Sequence, residues 1–119
     1  MNEVIESLFQ DFNVGGNPVP VSFLFYEGHG EPYVVYMQTD ADASLSGDNY
    51  LIGYIDYYDF DVYSTSDYTA ILEAVKSTLE GAGFRWQPSR TSGDLYDVDT
   101  GYYHKTLSFA IPKEVDING

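Results

Sequence analysis

A chain of 119 residues is the size of one domain, and its 17% aromatic content, 12 tyrosines included, is too rich in core-forming side chains for a disordered acidic tail. Nineteen acids against 5 bases give a net charge of −14, and the first base is Lys76, so residues 1–75 carry 13 acids and no base. Such a surface repels phosphate backbones and anionic membranes, which argues against direct nucleic-acid or membrane binding; the absence of cysteine excludes disulfides, thiolate zinc sites and a cysteine nucleophile.

The amino terminus places Glu3 and Glu6 where a secretory signal needs a basic start and an apolar run, so export by that route is not expected. No stretch reaches the ~20 apolar residues of a membrane helix. Val4, Ile5, Leu8, Phe9 and Phe12 form an amphipathic stripe that predicts a helix to about residue 13, stopped by Gly15-Gly16-Asn17-Pro18. Residues 19–26 are rich in β formers and lead through a Gly28-His29-Gly30-Glu31-Pro32 turn to a second β-rich run, Tyr33-Val34-Val35-Tyr36-Met37-Gln38, a pair that reads either as two neighbouring strands or as one strand and an extended arm. The polar residues 39–49, with Asp40, Asp42 and Asp48, read as an acidic, mobile loop.

Residues 50–63 carry the longest strand signal: Tyr58, Phe60 and Val62 alternate with Asp59 and Asp61. Asp56 falls on the apolar side of that alternation, where a bulge, a face switch and a buried hydrogen-bonded carboxylate are all open readings. Ser64-Thr65-Ser66-Asp67 offers helix caps ahead of Tyr68, Ile71, Leu72, Val75 and Leu79, a well-formed helical stripe closed by Gly81 and Gly83. Phe84 and Trp86 share one side of a short strand that Pro88 confines to an edge. Residues 92–101 read as a loop with Asp94, Asp97 and Asp99, and a final strand alternates Tyr103, Lys105, Leu107, Phe109 and Ile111 up to Pro112. The order α, β, β, β, α, β, β predicts an α+β fold, a mixed or antiparallel sheet of about four to five strands packed against two helices. One domain over residues 1–113 and a flexible tail over residues 114–119 complete the expected organisation.

The residues offer little chemistry. Asp97-x-Asp99-x-Gly101 resembles the start of a calcium loop, but the glycine comes one position early and Ser108 stands where the bidentate glutamate belongs. Asp59 and Asp61 share a face because the strand period puts them there, and solvation explains them more simply than acid–base catalysis. His29 and His104 are the only histidines; a triad of His104 with Asp97 or Asp99 and a serine fits no nucleophile-elbow motif. Gly28-His29-Gly30 lacks the lysine and helix of a phosphate loop. The expectation is therefore a binding protein rather than an enzyme, with no metal and no cofactor. The tyrosines, crowded at Tyr50, Tyr54, Tyr57, Tyr58, Tyr63, Tyr102 and Tyr103, suit half-exposed sheet faces, protein interfaces or a carbohydrate platform.

Taken in order, several segments resemble a known family: the short first helix, Tyr33-Val34-Val35-Tyr36, the acidic stretch and Tyr58-Asp59-Phe60-Asp61-Val62-Tyr63-Ser64. Glu80-Gly81-Ala82-Gly83-Phe84 and the hairpin from Asp94 to Lys105 continue the series. Across residues 4–113 the set is similar to the tail terminator, or tail-completion, proteins of long-tailed bacteriophages and prophages. That resemblance implies a structural protein with no catalytic residues. It would close as a ring, a hexamer, on the head-proximal end of the tail tube, touching tube and head-connector proteins in the virion after assembly in the host cytoplasm. Asp40, Asp42, Asp48, Asp94, Tyr96, Asp97 and Asp99, on the two long polar loops, are the candidate contact residues. The rival readings are another virion component, such as a tube or head-closure protein, and an acidic DNA mimic or inhibitor that binds a basic partner. A mimic needs its acids in a continuous stripe, whereas a ring protein needs an apolar or tyrosine-rich lateral patch.

Overall fold

The computed structural model describes residues 2–26, 32–45 and 51–114. Helix α1 (Asn2–Leu8) leads into a hairpin of β1 (Asn13–Val14) and β2 (Asn17–Pro18), then strands β3 (Val21–Phe23), β4 (Tyr33–Leu45) and β5 (Leu51–Ser64). Helix α2 (Thr69–Gly81) follows, then β6 (Arg85–Trp86), a 3-10 turn at Pro88–Arg90, β7 (Leu95–Tyr96) and β8 (Tyr103–Glu114). The fold is α+β: two α-helices and a mixed six-stranded sheet in the order β3-β4-β5-β8-β6, with β7 also on β8. Among the described strands of this sheet, β3 and β4 alone pair in parallel; β4–β5, β5–β8, β6–β8 and β7–β8 are antiparallel.

The period of two sorts the strands into two faces. Val34 and Tyr36 of β4, Tyr58, Phe60 and Val62 of β5, and Leu107 and Phe109 of β8 turn to the helices and are buried. Ile5 of α1 and Ile71, Val75 and Leu79 of α2 close over them, with Phe9, Val19 and Phe84 at the margins. Phe60 sits at the centre, its ring 5.5 Å from Tyr36, 5.7 Å from Phe109 and 6.0 Å from Phe9. Tyr58, Phe60 and Val62 are the buried hydrophobic residues of β5 among those whose side chains are described. The molecule is long, 52 × 27 × 23 Å, and its radius of gyration of 16.1 Å exceeds the roughly 13.5 Å of a compact chain this size.

Helix α2 forms as its stripe predicts. Asp67 Oδ1 accepts hydrogen bonds from the Thr69 N–H at 3.0 Å and the Thr69 hydroxyl at 2.7 Å, holding the first turn. At the other end the Phe84 N–H donates to Leu79 and the Gly83 N–H to Glu80, with Gly83 at φ +95°: a Schellman closure whose apolar clasp is Phe84 on Leu79.

Elsewhere the structure differs from the sequence-based expectation. The sheet has six strands, more than the four to five expected. Helix α1 stops at Leu8 rather than near residue 13. Residues 9–11 are turns, with Asp11 at φ +56°; Gly15 and Gly16 both take positive φ, forming a two-residue hairpin turn, and the Val19 N–H donates to the Phe12 carbonyl, so the chain leaves the helix direction there for the hairpin. Residues 39–45 are strand, not loop, because β5 supplies the pairing that their polar side chains do not advertise; Thr39 falls at a bulge between Gln38 and Asp40. Residues 46–49, the Gly28–His29–Gly30 turn and residues 115–119 of the expected tail lie outside the described residues. Strand β8 continues through Pro112 to Glu114, past the end expected for it, because β5 pairs with it as far as Gly53.

Candidate interaction surfaces

Among the described residues no α-helix lies over the second face of the sheet, which carries tyrosines and aspartates side by side. Tyr33, Tyr63 and His104 are cross-strand neighbours on β4, β5 and β8. Their rings stack, Tyr33 on Tyr63 at 4.7 Å and 15° and Tyr63 on His104 at 4.4 Å and 8°. Tyr26 extends the ladder beyond Tyr33 at 4.8 Å, and Tyr102 stands nearly perpendicular to both Tyr33 and Tyr63. Burial raises the phenol pKa of Tyr63, helped by the Asp61 carboxylate, and burial with Tyr102 raises that of Tyr33, so both keep their protons at neutral pH.

Asp61 lies beside the ladder and accepts a 2.6 Å hydrogen bond from the Thr106 hydroxyl; His104 Nε2 is 3.7 Å from the same carboxylate oxygen and 3.3 Å from Thr106 Oγ1. A catalytic relay places the carboxylate on one ring nitrogen and the hydroxyl on the other. Here Asp61 and Thr106 meet the same nitrogen, so the trio ties β5 to β8 instead of forming that relay. Asp97, one of the carboxylates weighed and set aside as a partner for His104, turns to the hairpin, where it accepts from the Asp99 N–H at 2.9 Å.

Farther along the same face, Asp40 and Asp42 flank Tyr57. The Arg90 guanidinium lies 4.0 Å from the centre of the Tyr57 ring and 3.7 Å from the Asp40 carboxylate. A hydrogen bond to Asp42 raises the Tyr57 phenol pKa. Between the two clusters Asp59 is partly buried, and that burial, with Asp61 beside it, raises its carboxyl pKa. On the helix side, the open question over Asp56 resolves as a buried, bonded carboxylate: 5% exposed, it accepts from Gln38 Nε2 at 3.2 Å and lies 3.8 Å from Lys113 Nζ.

The β7–β8 hairpin carries the rest of the expected contact residues. Tyr68 donates to Asp94, which also pairs with Lys105 at 3.8 Å, so the base of the hairpin is tied to the start of α2. Burial and the Asp94 carboxylate push the Tyr68 phenol far up. Tyr96 rests on Tyr103 at 4.7 Å. A cleft of about 330 Å³ separates hairpin from ladder, walled by Tyr33, Tyr63, Tyr96, Asp97, Tyr102 and His104.

The candidate residues therefore fall into two groups. Asp94, Tyr96, Asp97 and Asp99 gather on the hairpin, while Asp40 and Asp42 sit opposite Tyr57 and Ile55, six residues or more from Tyr63 along β5 and so about 20 Å away. Asp48 lies outside the described residues. The sequence reading passed over Arg90, Thr106 and the exposed run Phe23-Leu24-Phe25. Three apolar residues in a row at a strand end break the period-two alternation, and that break was the available signal for the run. Among the described residues there is no cluster of three or more metal-ligating side chains, and no helix is long and apolar enough to cross a membrane. Compared with known proteins, the chain matches no family model and no curated sequence.

Proposed function

We propose that this chain is a structural tail-completion protein of a long-tailed phage, of the terminator type. It closes as a ring, a hexamer by the family resemblance, on the end of the tail tube and presents a surface to the head connector. It acts by geometry and carries out no reaction. It works in the virion, with assembly in the host cytoplasm.

The observation that carries this reading is where the side chains lie. Asp40, Asp56, Asp61, Asp67 and Asp94 are each engaged within the molecule, by Arg90, Gln38 and Lys113, Thr106, Thr69, and Tyr68 with Lys105. Beside exposed acids such as Glu3, Glu6, Asp42, Asp97 and Asp99, two apolar and aromatic clusters stand outward, Phe23, Leu24 and Phe25 at one end of the sheet and Leu95, Tyr96, Val98 and Tyr103 at the other. Clusters of this kind mark protein–protein surfaces. Light scattering over a range of protein and salt concentrations, with and without tail-tube protein, tests the reading. A ring-sized species, alone or on the tube, is the expected result. A chain that stays monomeric even with tube protein overturns it.

One observation favours a second reading, an acidic mimic that occupies the site of a basic protein: residues 1–75 contain no base at all. Tight, salt-sensitive capture of a DNA-binding protein, displaced by duplex DNA, would favour that reading over the ring.

A further inference from the structure

The two ends of the sheet are unlike, and the difference is of the kind that lets one copy bind the next. At one end β3 is the outermost strand, and it runs into Phe23, Leu24 and Phe25, all exposed, Phe25 by 66%. Leu24 holds φ +68°, and the Phe25 N–H donates to the Phe23 carbonyl at 2.9 Å. That is a γ-turn in its strained form. The Phe23 ring rests 5.5 Å from Tyr36, and Leu24 and Phe25 wall a cleft with Tyr33, Val35 and Met37, yet all three side chains keep a large exposed area at the edge. At the opposite end β6 and β7 are outermost on β8, and the β7 hairpin exposes Leu95, Tyr96, Tyr103 and Val98, the last by 81%.

Charge also differs between the two ends, although the hairpin itself carries Asp94, Asp97 and Asp99. Helix α1 packs beside β3 and carries Glu3 and Glu6, which make no ion pair among the described residues. At the other end Arg85 of β6 is exposed and likewise unpaired among them, and Lys76 of α2 lies 3.8 Å above the Trp86 ring. Strand direction fits as well. β3 runs parallel to β4 and therefore to β8, while β6 and β7 run antiparallel to β8. A neighbour placed alongside without being turned over thus meets β3 with strands running the opposite way, the more stable pairing.

We infer that the β3 edge, with Phe23, Leu24 and Phe25, docks on the β6–β7 edge of a second copy of this chain, apolar run against hairpin and Glu3 and Glu6 against Lys76 and Arg85. The interface is head-to-tail, so the growing chain of copies always keeps one free edge of each kind and the association continues until a ring closes. The inference rests on the ring reading for its closure, but the pairing of the edges is tested separately.

The chain has no cysteine, so single cysteines report cleanly. Phe25→Cys and Val98→Cys, both exposed positions, are each prepared alone, checked for folding by circular dichroism, and treated with a short bismaleimide at millimolar protein. The mixture yields a covalent heterodimer, neither variant alone gives a dimer, and a chain carrying both gives a ladder of oligomers. Arg85→Glu lowers the yield severalfold, and Glu6→Lys in the other partner restores it. Dimers of Phe25→Cys alone would mean a two-fold interface, and no heterodimer in the mixture would mean that these edges do not meet; either result overturns the inference. Light scattering of the wild-type chain separates the two ideas: rings without the heterodimer leave the ring reading standing and remove this one. Heterodimer and ladder with only open chains do the reverse.

Discussion

The three long strands β4, β5 and β8 present one face to the helices and one away from them, and the two faces are stabilised differently. On the helix side Phe60 and its neighbours are sealed from water, so their worth comes from apolar area and tight packing. On the other side Tyr33, Tyr63 and His104 are half-buried with no α-helix over them among the described residues, each ring covering its stacked neighbour. The same strand alternation thus makes one face that must be covered and another that covers itself. A face of the second kind can meet a partner without unfolding anything.

This contrast can be broken by substitution. Phe60→Ala, which empties the centre of the helix side, is expected to cost about 3–5 kcal/mol in urea unfolding. Tyr63→Ala removes the middle rung of the ladder and two stacked neighbours, and about 2 kcal/mol is expected, with loss of near-ultraviolet circular dichroism. Equal losses for the two would mean that the second face is a core in its own right. Tyr68→Phe deletes the hydrogen bond to Asp94 and should cost about 1 kcal/mol, while amide exchange on the β7 hairpin quickens.

The smallest effect depends on pH. Asp59 has a carboxyl pKa raised in the folded state, so the folded chain holds that proton more tightly than the unfolded one does. Stability from this group is greatest in acid and falls as pH rises from the ordinary carboxylate value through the raised one. Asp59→Asn should therefore raise the melting temperature slightly at pH 7 and lose that advantage in acid. Asp67 has the opposite sign: the Thr69 hydroxyl and N–H lower its pKa, so its contribution is present above the ordinary value and disappears as pH falls through the lowered one. Asp67→Ala should lower the melting temperature at pH 7 and not in strong acid.

How far the sequence revealed this follows from where the information resides. Helix α2 and strand β5 were legible because stripe, cap and alternation are local and agree with one another. Residues 39–45 were not, since Asp40 and Asp42 are poor strand formers and take their conformation from the β5 partner. The abundance of tyrosine was visible in the composition; the ladder was not, because stacking depends on the register that brings Tyr33 opposite Tyr63 and Tyr63 opposite His104. Asp61 read as a solvated carboxylate for the same reason: its partner Thr106 is 45 positions away.

The position of β8 has a consequence in time. It is the last of the described elements, yet it lies inside the sheet, between β5 and the short edge strands. A ribosome delivers the β4–β5 hairpin and α2 well before the strand that joins them. Until β8 emerges, β5 offers a long unpaired edge, and the contacts that complete the core span some fifty positions of chain. Folding should thus be slow and close to all-or-none once β8 has emerged, with the nascent chain most exposed to wrong pairing just before that.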